Sequence, residues 1–351
     1  METGKFKFNW PLVGNKHITD FLEKAVVGGN TAGAYIFYGP DNVGKATLAE
    51  HFAKILLCER EGSNLPCGVC SSCLSFKDNT NYDQEQLEEV RIIHGDCHII
   101  KKEKDKKNIS IEQTREFIRL LNMSSFLGSF KIGIVRDAEV LSQEAANALL
   151  KTLEEPKEKV IIILVAKNLE TIPLTIISRS QFLNFYPVSA DIIYDYLVNK
   201  RKVHRSQAKS LARLSLGRPA LAHKYLENKE YYRLYLDKVN TFLNFLGQDM
   251  AERFSSIDKL IGGSTSGQTS ASSTARILEA WESATRDWLL LELGHINLIG
   301  NQVLEKELIK TQKRFGLKEL VNLLKNIRQA KSYLAANVNP RTVLEYVCLN
   351  L

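Results

Sequence analysis

A glycine-bounded loop constrains this chain more than any other feature. In Gly39-Pro40-Asp41-Asn42-Val43-Gly44-Lys45 two glycines are separated by four residues, and a lysine follows the second directly. The loop comes after an apolar run, Ala34-Tyr35-Ile36-Phe37-Tyr38, that reads as a buried strand. It precedes Thr47–Leu57, where Leu48, Phe52, Ile55 and Leu56 recur at helical spacing. Between a strand and a helix this pattern is a phosphate-binding loop. The glycines let backbone N–H groups converge on phosphate at the helix N-terminus, and Lys45 reaches the outer phosphates. An ordinary glycine-containing turn is the alternative, and the strand–helix context argues against it.

Two further apolar runs, Lys131–Val135 and Val160–Ala166, read as strands, with a helical segment over Glu144–Leu153 between them. Short apolar runs separated by helices point to a parallel sheet covered on both faces. After Tyr186-Pro187 the strand signal stops. Ala190–Leu226 reads as a small helical unit with a turn at Gly217-Arg218-Pro219, and from about Tyr231 the pattern is helical to the end. Gly262–Ser273 reads as a flexible Gly/Ser/Thr loop, Asn79–Glu89 as a polar loop insertion, and the basic run Lys101–Lys107 as a solvated turn. The expected plan is α/β, with a P-loop sheet domain over 1–187 and helical domains over 188–230 and 231–351.

The phosphate loop lacks its usual metal chemistry. The residue after the lysine is normally Ser or Thr, whose hydroxyl holds Mg²⁺. Here it is Ala46, and Thr47 lies about 100° further around the helix. The strand Lys131–Val135 should end in carboxylates that hold the metal and activate water, yet it is followed by Arg136, Asp137, Ala138 and Glu139. Slow or absent hydrolysis is expected from such a site. Gly39, Gly44, Lys45, Thr47 and the backbone remain candidates for holding ATP or ADP, and the residues leave open whether either binds.

Six cysteines occur, four of them as Cys58, Cys67, Cys70 and Cys73. Their spacing, C-x8-C-x2-C-x2-C, suits four thiolates closing on one tetrahedral ion, a structural Zn²⁺ site with no open position. An iron–sulfur cluster is the less favoured alternative. His94 and His98 near Cys97 lack a fourth ligand at sensible spacing, so no second metal site is read there. Cys97 and Cys348 read as buried or incidental thiols.

Hydrophobic content of 44% and charged content of 25% are ordinary for a globular protein. No apolar run approaches the roughly 18 residues of a membrane span, and the first ten residues hold no signal-peptide core, so a cytoplasmic location is expected. The net charge of +7 fits work near nucleic acid without demanding it. The basic clusters Lys101–Lys107 and Lys200-Arg201-Lys202 lack interleaved aromatics, which favours solvation or nonspecific phosphate contact over base reading.

Several further stretches carry a resemblance. Asn147-Ala148-Leu149-Leu150-Lys151-Thr152-Leu153-Glu154-Glu155-Pro156 looks like the signature helix of bacterial clamp-loader subunits, the AAA+ proteins of the DNA polymerase III assembly. Ile177-Ser178-Arg179-Ser180 resembles that family's Ser-Arg-Cys motif, with Ser180 in place of cysteine. Leu12-Val13-Gly14-Asn15 resembles its Val-Gly-Gln element beside the nucleotide base. The run from Trp281 to Asn339 is similar to its helical collar. Ala46, Arg136 and Ala220, the last standing where a motor subunit carries a lid arginine, depart from the tau/gamma pattern and resemble the delta-prime branch.

The resemblance implies a lid over 188–230 and an oligomerising collar over 231–351. It places Val13 at the nucleotide site and makes Arg179 an arginine finger that reaches the ATP of a neighbouring ATPase subunit. It implies tau/gamma and delta subunits as partners, with the sliding clamp and primer-template DNA contacted through the complex. Two other readings stay open on the residues themselves. One is a working ATPase that ligates Mg²⁺ through Thr47 and Asp137. The other is a zinc-dependent DNA-binding module on a vestigial ATPase fold.

Overall fold

A computed structural model describes residues 6–59, 64–78, 90–103, 106–125, 130–155, 159–245, 247–261, 267–301 and 316–351. Their contacts form two compact units, Met1–Val188 and Ser189–Leu351. The segment 79–89, expected as a loop insertion, lies outside the described residues, as do 104 and 105 of the basic run and 262–266 of the Gly/Ser/Thr loop.

The first unit contains strands β1 (Lys7–Phe8), β2 (Ala34–Tyr38), β3 (Asn64–Leu65), β4 (Val90–His94), β5 (Cys97–Ile100), β6 (Lys131–Val135), β7 (Val160–Ala166) and β8 (Gln181–Asn184). Its helices are α1 (Lys16–Val27), α2 (Lys45–Leu56), α3 (Ser71–Asp78), α4 (Ile111–Leu121), α5 (Gln143–Glu154) and α6 (Leu174–Ile177). The main sheet has the order β4-β5-β6-β7-β2-β8. Every pairing in it is parallel except that of the edge strand β4 with β5. The three strands expected from sequence therefore sit side by side at the centre as β6-β7-β2, the P-loop sheet arrangement that the sequence called for.

Side-chain alternation explains why these central runs are apolar throughout. Tyr35 and Phe37 of β2, Ile132 and Ile134 of β6, and Ile161 and Ile163 of β7 face α1 and α2 through Ile18, Leu22, Leu48 and Phe52. Ile36, Val135, Ile162 and Leu164 enter the opposite layer, with Phe117 of α4 and Leu149 of α5. With both faces covered, neither set of positions tolerates a polar side chain. At the sheet's far edge a fully buried Asp96 pairs with Lys131 at 2.9 Å and accepts from the Ser125 hydroxyl at 2.8 Å, so two charges under the sheet are mutually satisfied.

The second unit is helical among its described residues: α7 (Ala190–Asp195) running into a π-helical turn at Tyr196–Lys200, α8 (Arg205–Leu214), α9 (Pro219–Glu227), α10 (Lys229–Phe245), α11 (Met250–Ile261), α12 (Gly267–Glu292), α13 (Leu317–Ala335) and α14 (Pro340–Leu349). Trp281 and Trp288 of α12 are fully buried against Phe242, Phe245, Ile327 and Leu344. The expected loop over Gly262–Ser273 needs correction, because α12 already begins at Gly267. Burial of the α12 face further along outweighs the weak helix propensity of its Ser- and Thr-rich first turns.

Candidate functional site

The loop between β2 and α2 joins a strand to a helix, as expected from sequence. Gly39 has φ +139° and Gly44 φ +102°, and the helix starts at Lys45. Gly39 is fixed by its surroundings as well as by any ligand: a Cβ there would lie 2.3 Å from the Phe185 carbonyl oxygen. Lys45 is buried, and its ammonium is turned back onto its own loop, donating to the carbonyls of Gly39 and, at 2.6 Å, of Pro40. Burial lowers its pKa below the ordinary lysine value. Ala46 is half-buried, and Thr47 is exposed, turned outward from the α2 face that packs on the sheet.

The end of β6, where metal-holding carboxylates would stand, carries Arg136 and Asp137. The Arg136 guanidinium is held by the Glu50 carboxylate of α2. Asp137 is exposed and left-handed, with φ +54°. Glu139, two residues on, is half-buried; burial raises its carboxyl pKa, and Asp137 and Lys167 act on it from nearby. Lys167, just past β7, pairs with Asp41 of the phosphate loop at 3.1 Å. Arg136, Lys167 and Asp41 thus have internal counter-charges and Lys45 has carbonyl acceptors, whereas one buried Glu139 carboxylate oxygen has no hydrogen-bond partner among the described residues. Glu50 and Lys167 were missed from sequence. Their partners lie far away in the chain, and only the adjacency of β2, β6 and β7 brings them together.

On the other side of the loop, Gly14 has φ +73° and its missing Cβ is replaced by Val188, whose Cγ1 would lie 2.3 Å from it. Asn15 locks this turn with a reciprocal pair of 2.9 Å hydrogen bonds to the backbone of Tyr186. Val13 is half-buried beside this turn, and Leu12 reaches Gly44. The Val13–Gly14 element and the phosphate loop are therefore neighbours in space.

Arg179 lies between α6 and β8, away from the loop, with its side chain 39% exposed. It pairs with Glu154 at 3.0 Å and donates to the Thr175 carbonyl at 3.1 Å and to the Ser178 hydroxyl at 3.4 Å. Ser180, where the family has cysteine, turns its hydroxyl back to the Ile176 carbonyl at 2.8 Å and closes the helical turn. Leu174 and Phe182 on the same segment are exposed apolar side chains.

The four cysteines come together after α2. Their sulfurs all lie within 4.8 Å of one another, and none is in a disulfide. Thiolates around one tetrahedral ion at about 2.3 Å would be roughly 3.8 Å apart, so the donor set is close enough to hold a metal ion. Backbone N–H groups already point at the sulfurs: Cys67 at Cys58, Val69 and Cys70 at Cys67, and Cys73 at Cys70, over 3.3–3.5 Å. The Val69 N–H foremost, with that of Cys70, pushes the Cys67 thiol down to about 6, while burial raises Cys73. This knuckle is strapped to both neighbours. Its strand β3 pairs with β1, and Ser72 of α3 bonds to His94 of the main sheet at 3.1 Å.

Together these features define a P-loop sheet protein with Ala46 and Arg136 beside its loop and a four-cysteine knuckle close enough to hold a metal ion. The chain belongs to the family described as "DNA polymerase III, delta subunit", which matches residues 14–189, half of its length. Among curated relatives it is 34% identical to DNA polymerase III subunit delta' of Pseudomonas aeruginosa over 42% of this chain and 41% of that one. It is 31% identical to DNA polymerase III subunit tau of Bacillus subtilis over 52% of this chain and 30% of that one. The matched region thus spans less than half the length of either relative. A solved gamma subunit-related protein of Thermotoga maritima is 17% identical, with a TM-score of 0.46 over 95% of this chain and 97% of that one. Among the described residues no helix is long and apolar enough to cross a membrane.

Proposed function

We propose that this chain is a delta-prime-type subunit of a DNA polymerase III clamp loader, one that does not hydrolyse ATP and supplies Arg179 to the nucleotide of a neighbouring ATPase subunit. The observation that carries this reading is the contrast between two cationic sites. All three cations have acceptors within the chain, but Lys45 and Arg136, at the chain's own loop, are buried or half-buried, whereas Arg179 stands at the surface among exposed apolar side chains. A guanidinium placed in trans neutralises charge on the transferred phosphoryl group, worth on the order of 10³–10⁵ in rate.

In this reading the knuckle of Cys58, Cys67, Cys70 and Cys73 holds one structural Zn²⁺. ATP or ADP, if held, rests on Gly39, Gly44, Lys45, Thr47 and Val13. Residues 188–230 serve as a lid and 231–351 as the collar. The partners are tau/gamma and delta subunits, and the complex acts in the cytoplasm on a sliding clamp and primer-template DNA. The test is co-purification with the ATPase subunit, with ATP hydrolysis measured for each alone and together. Arg179→Ala is expected to leave assembly intact and to lower the joint rate by at least two orders of magnitude. An unchanged rate rejects the finger.

A second reading, an active ATPase of the tau/gamma type, is favoured by the 31% identity to a tau subunit. Steady ATP turnover by the isolated chain, abolished by Lys45→Ala, would establish it in place of the first.

A further inference from the structure

We propose that Glu154 is the positioning residue for Arg179, holding its guanidinium in the orientation presented to the neighbouring subunit. This rests on the reading of Arg179 as a group acting in trans.

A surface arginine ordinarily samples many rotamers, and a finger that does so spends part of each encounter out of place. Arg179 is instead opposed by acceptors from two elements. Glu154 of α5 faces one terminal nitrogen at 3.0 Å, and the Thr175 carbonyl and Ser178 hydroxyl of the α6 turn face the other at 3.1 and 3.4 Å. Glu154 is the charged member of this set, and it belongs to α5 rather than to the segment that carries the arginine. It therefore ties the α6–β8 turn to the helix beneath.

A second observation concerns the sign of the charge. Glu154 is the last residue of α5 and Glu155 is its cap. The C-terminal end of a helix carries partial negative charge, so carboxylates there oppose the helix dipole. The position gains nothing for α5 itself, and its ion pair with Arg179 gives the charge a partner. The pair also leaves the finger usable. The side chains of Arg179 and Glu154 are 39% and 48% exposed, and the guanidinium keeps donors beyond those engaged. An arriving phosphate can take over the contact without the arginine having to search for it.

The experiment uses the full chain assembled with its ATPase partner and compares wild type, E154A, E154Q, R179A and the E154A/R179A double variant by steady-state ATP hydrolysis. Size-exclusion chromatography and the thermal midpoint confirm equal assembly and folding. R179A is expected to lower kcat by about 10³. E154A should lower kcat by up to about fivefold, the scale of an exposed ion pair, with KM unchanged, and E154Q should fall between the two. In the R179A background E154A should cost nothing further. The positioning role is overturned if E154A is neutral or faster, if it alters KM alone, or if it costs the same factor with and without Arg179. If R179A itself leaves the rate unchanged, the trans reading falls first and the role of Glu154 falls with it.

Discussion

Replacing Gly39 with alanine separates the structural demand on the phosphate loop from any demand made by a ligand. The backbone at Gly39 has φ +139°, a region that side-chain-bearing residues occupy only at a cost of about 1–3 kcal/mol. The added Cβ would meet the Phe185 carbonyl oxygen at 2.3 Å. That oxygen has little room to retreat, because the Phe185 N–H donates to the Tyr38 carbonyl at 2.8 Å and the Phe185 ring is fully buried against Phe37. Such overpacking costs about 1–3 kcal/mol more, for a total of about 4 kcal/mol. In a unit the size of Met1–Val188 this corresponds to a fall in Tm of about 8–16 °C. Gly29→Ala is the control: φ is +67°, but nothing lies within 4 Å of the added carbon, so only about 1 kcal/mol, or 2–4 °C, is expected. Thermal unfolding without nucleotide, followed by circular dichroism, reads both. If Gly39→Ala melts no lower than Gly29→Ala, the glycine is not held by the sheet, and a ligand is needed to explain it.

Two other outcomes are open to measurement. Metal analysis of anaerobically purified protein should find about one zinc per chain, lost in Cys73→Ser, and amide exchange should speed up in β1 because its partner β3 belongs to the knuckle; metal-free protein with β1 still protected would count against the site. Burial pushes His98 down to about 4, and neither ring nitrogen has a hydrogen-bond partner among the described residues. Because the unfolded chain binds the proton first, stability is retained above pH 6.5 and declines by about 3 kcal/mol as pH falls towards 4, about 2 kcal/mol of it by pH 5. Urea denaturation at pH 7 and pH 5 should show a smaller difference for His98→Leu than for wild type, and equal differences would show that His98 does not drive the loss.

Much of the fold was legible where one local pattern had one physical outcome. The apolar runs of β2, β6 and β7 were readable because strands buried on both faces leave no polar positions. β4, β5 and β8 were not recognised. Residues 90–94 and 97–100 mix His, Arg and Cys with isoleucine, and β8 carries Gln181 and Asn184, so neither shows a pure run. The loop expected over Gly262–Ser273 failed from Gly267 onward for the opposite reason: local propensity pointed away from helix and packing of Trp281 and Trp288 prevailed.

The sequence by itself determined the chemistry that is missing and the donors that are present. No arrangement of the chain can give Ala46 a hydroxyl, and the spacing of Cys58, Cys67, Cys70 and Cys73 supplies four thiols within sixteen residues. Tertiary structure decided where the charges go. Lys45 folds back onto Gly39 and Pro40, Arg136 finds Glu50 across 86 positions of chain, and Arg179 finds Glu154. Spacing along a chain fixes only contacts within a turn or two. Pairs made between strands and helices depend on sheet order, which no single segment encodes.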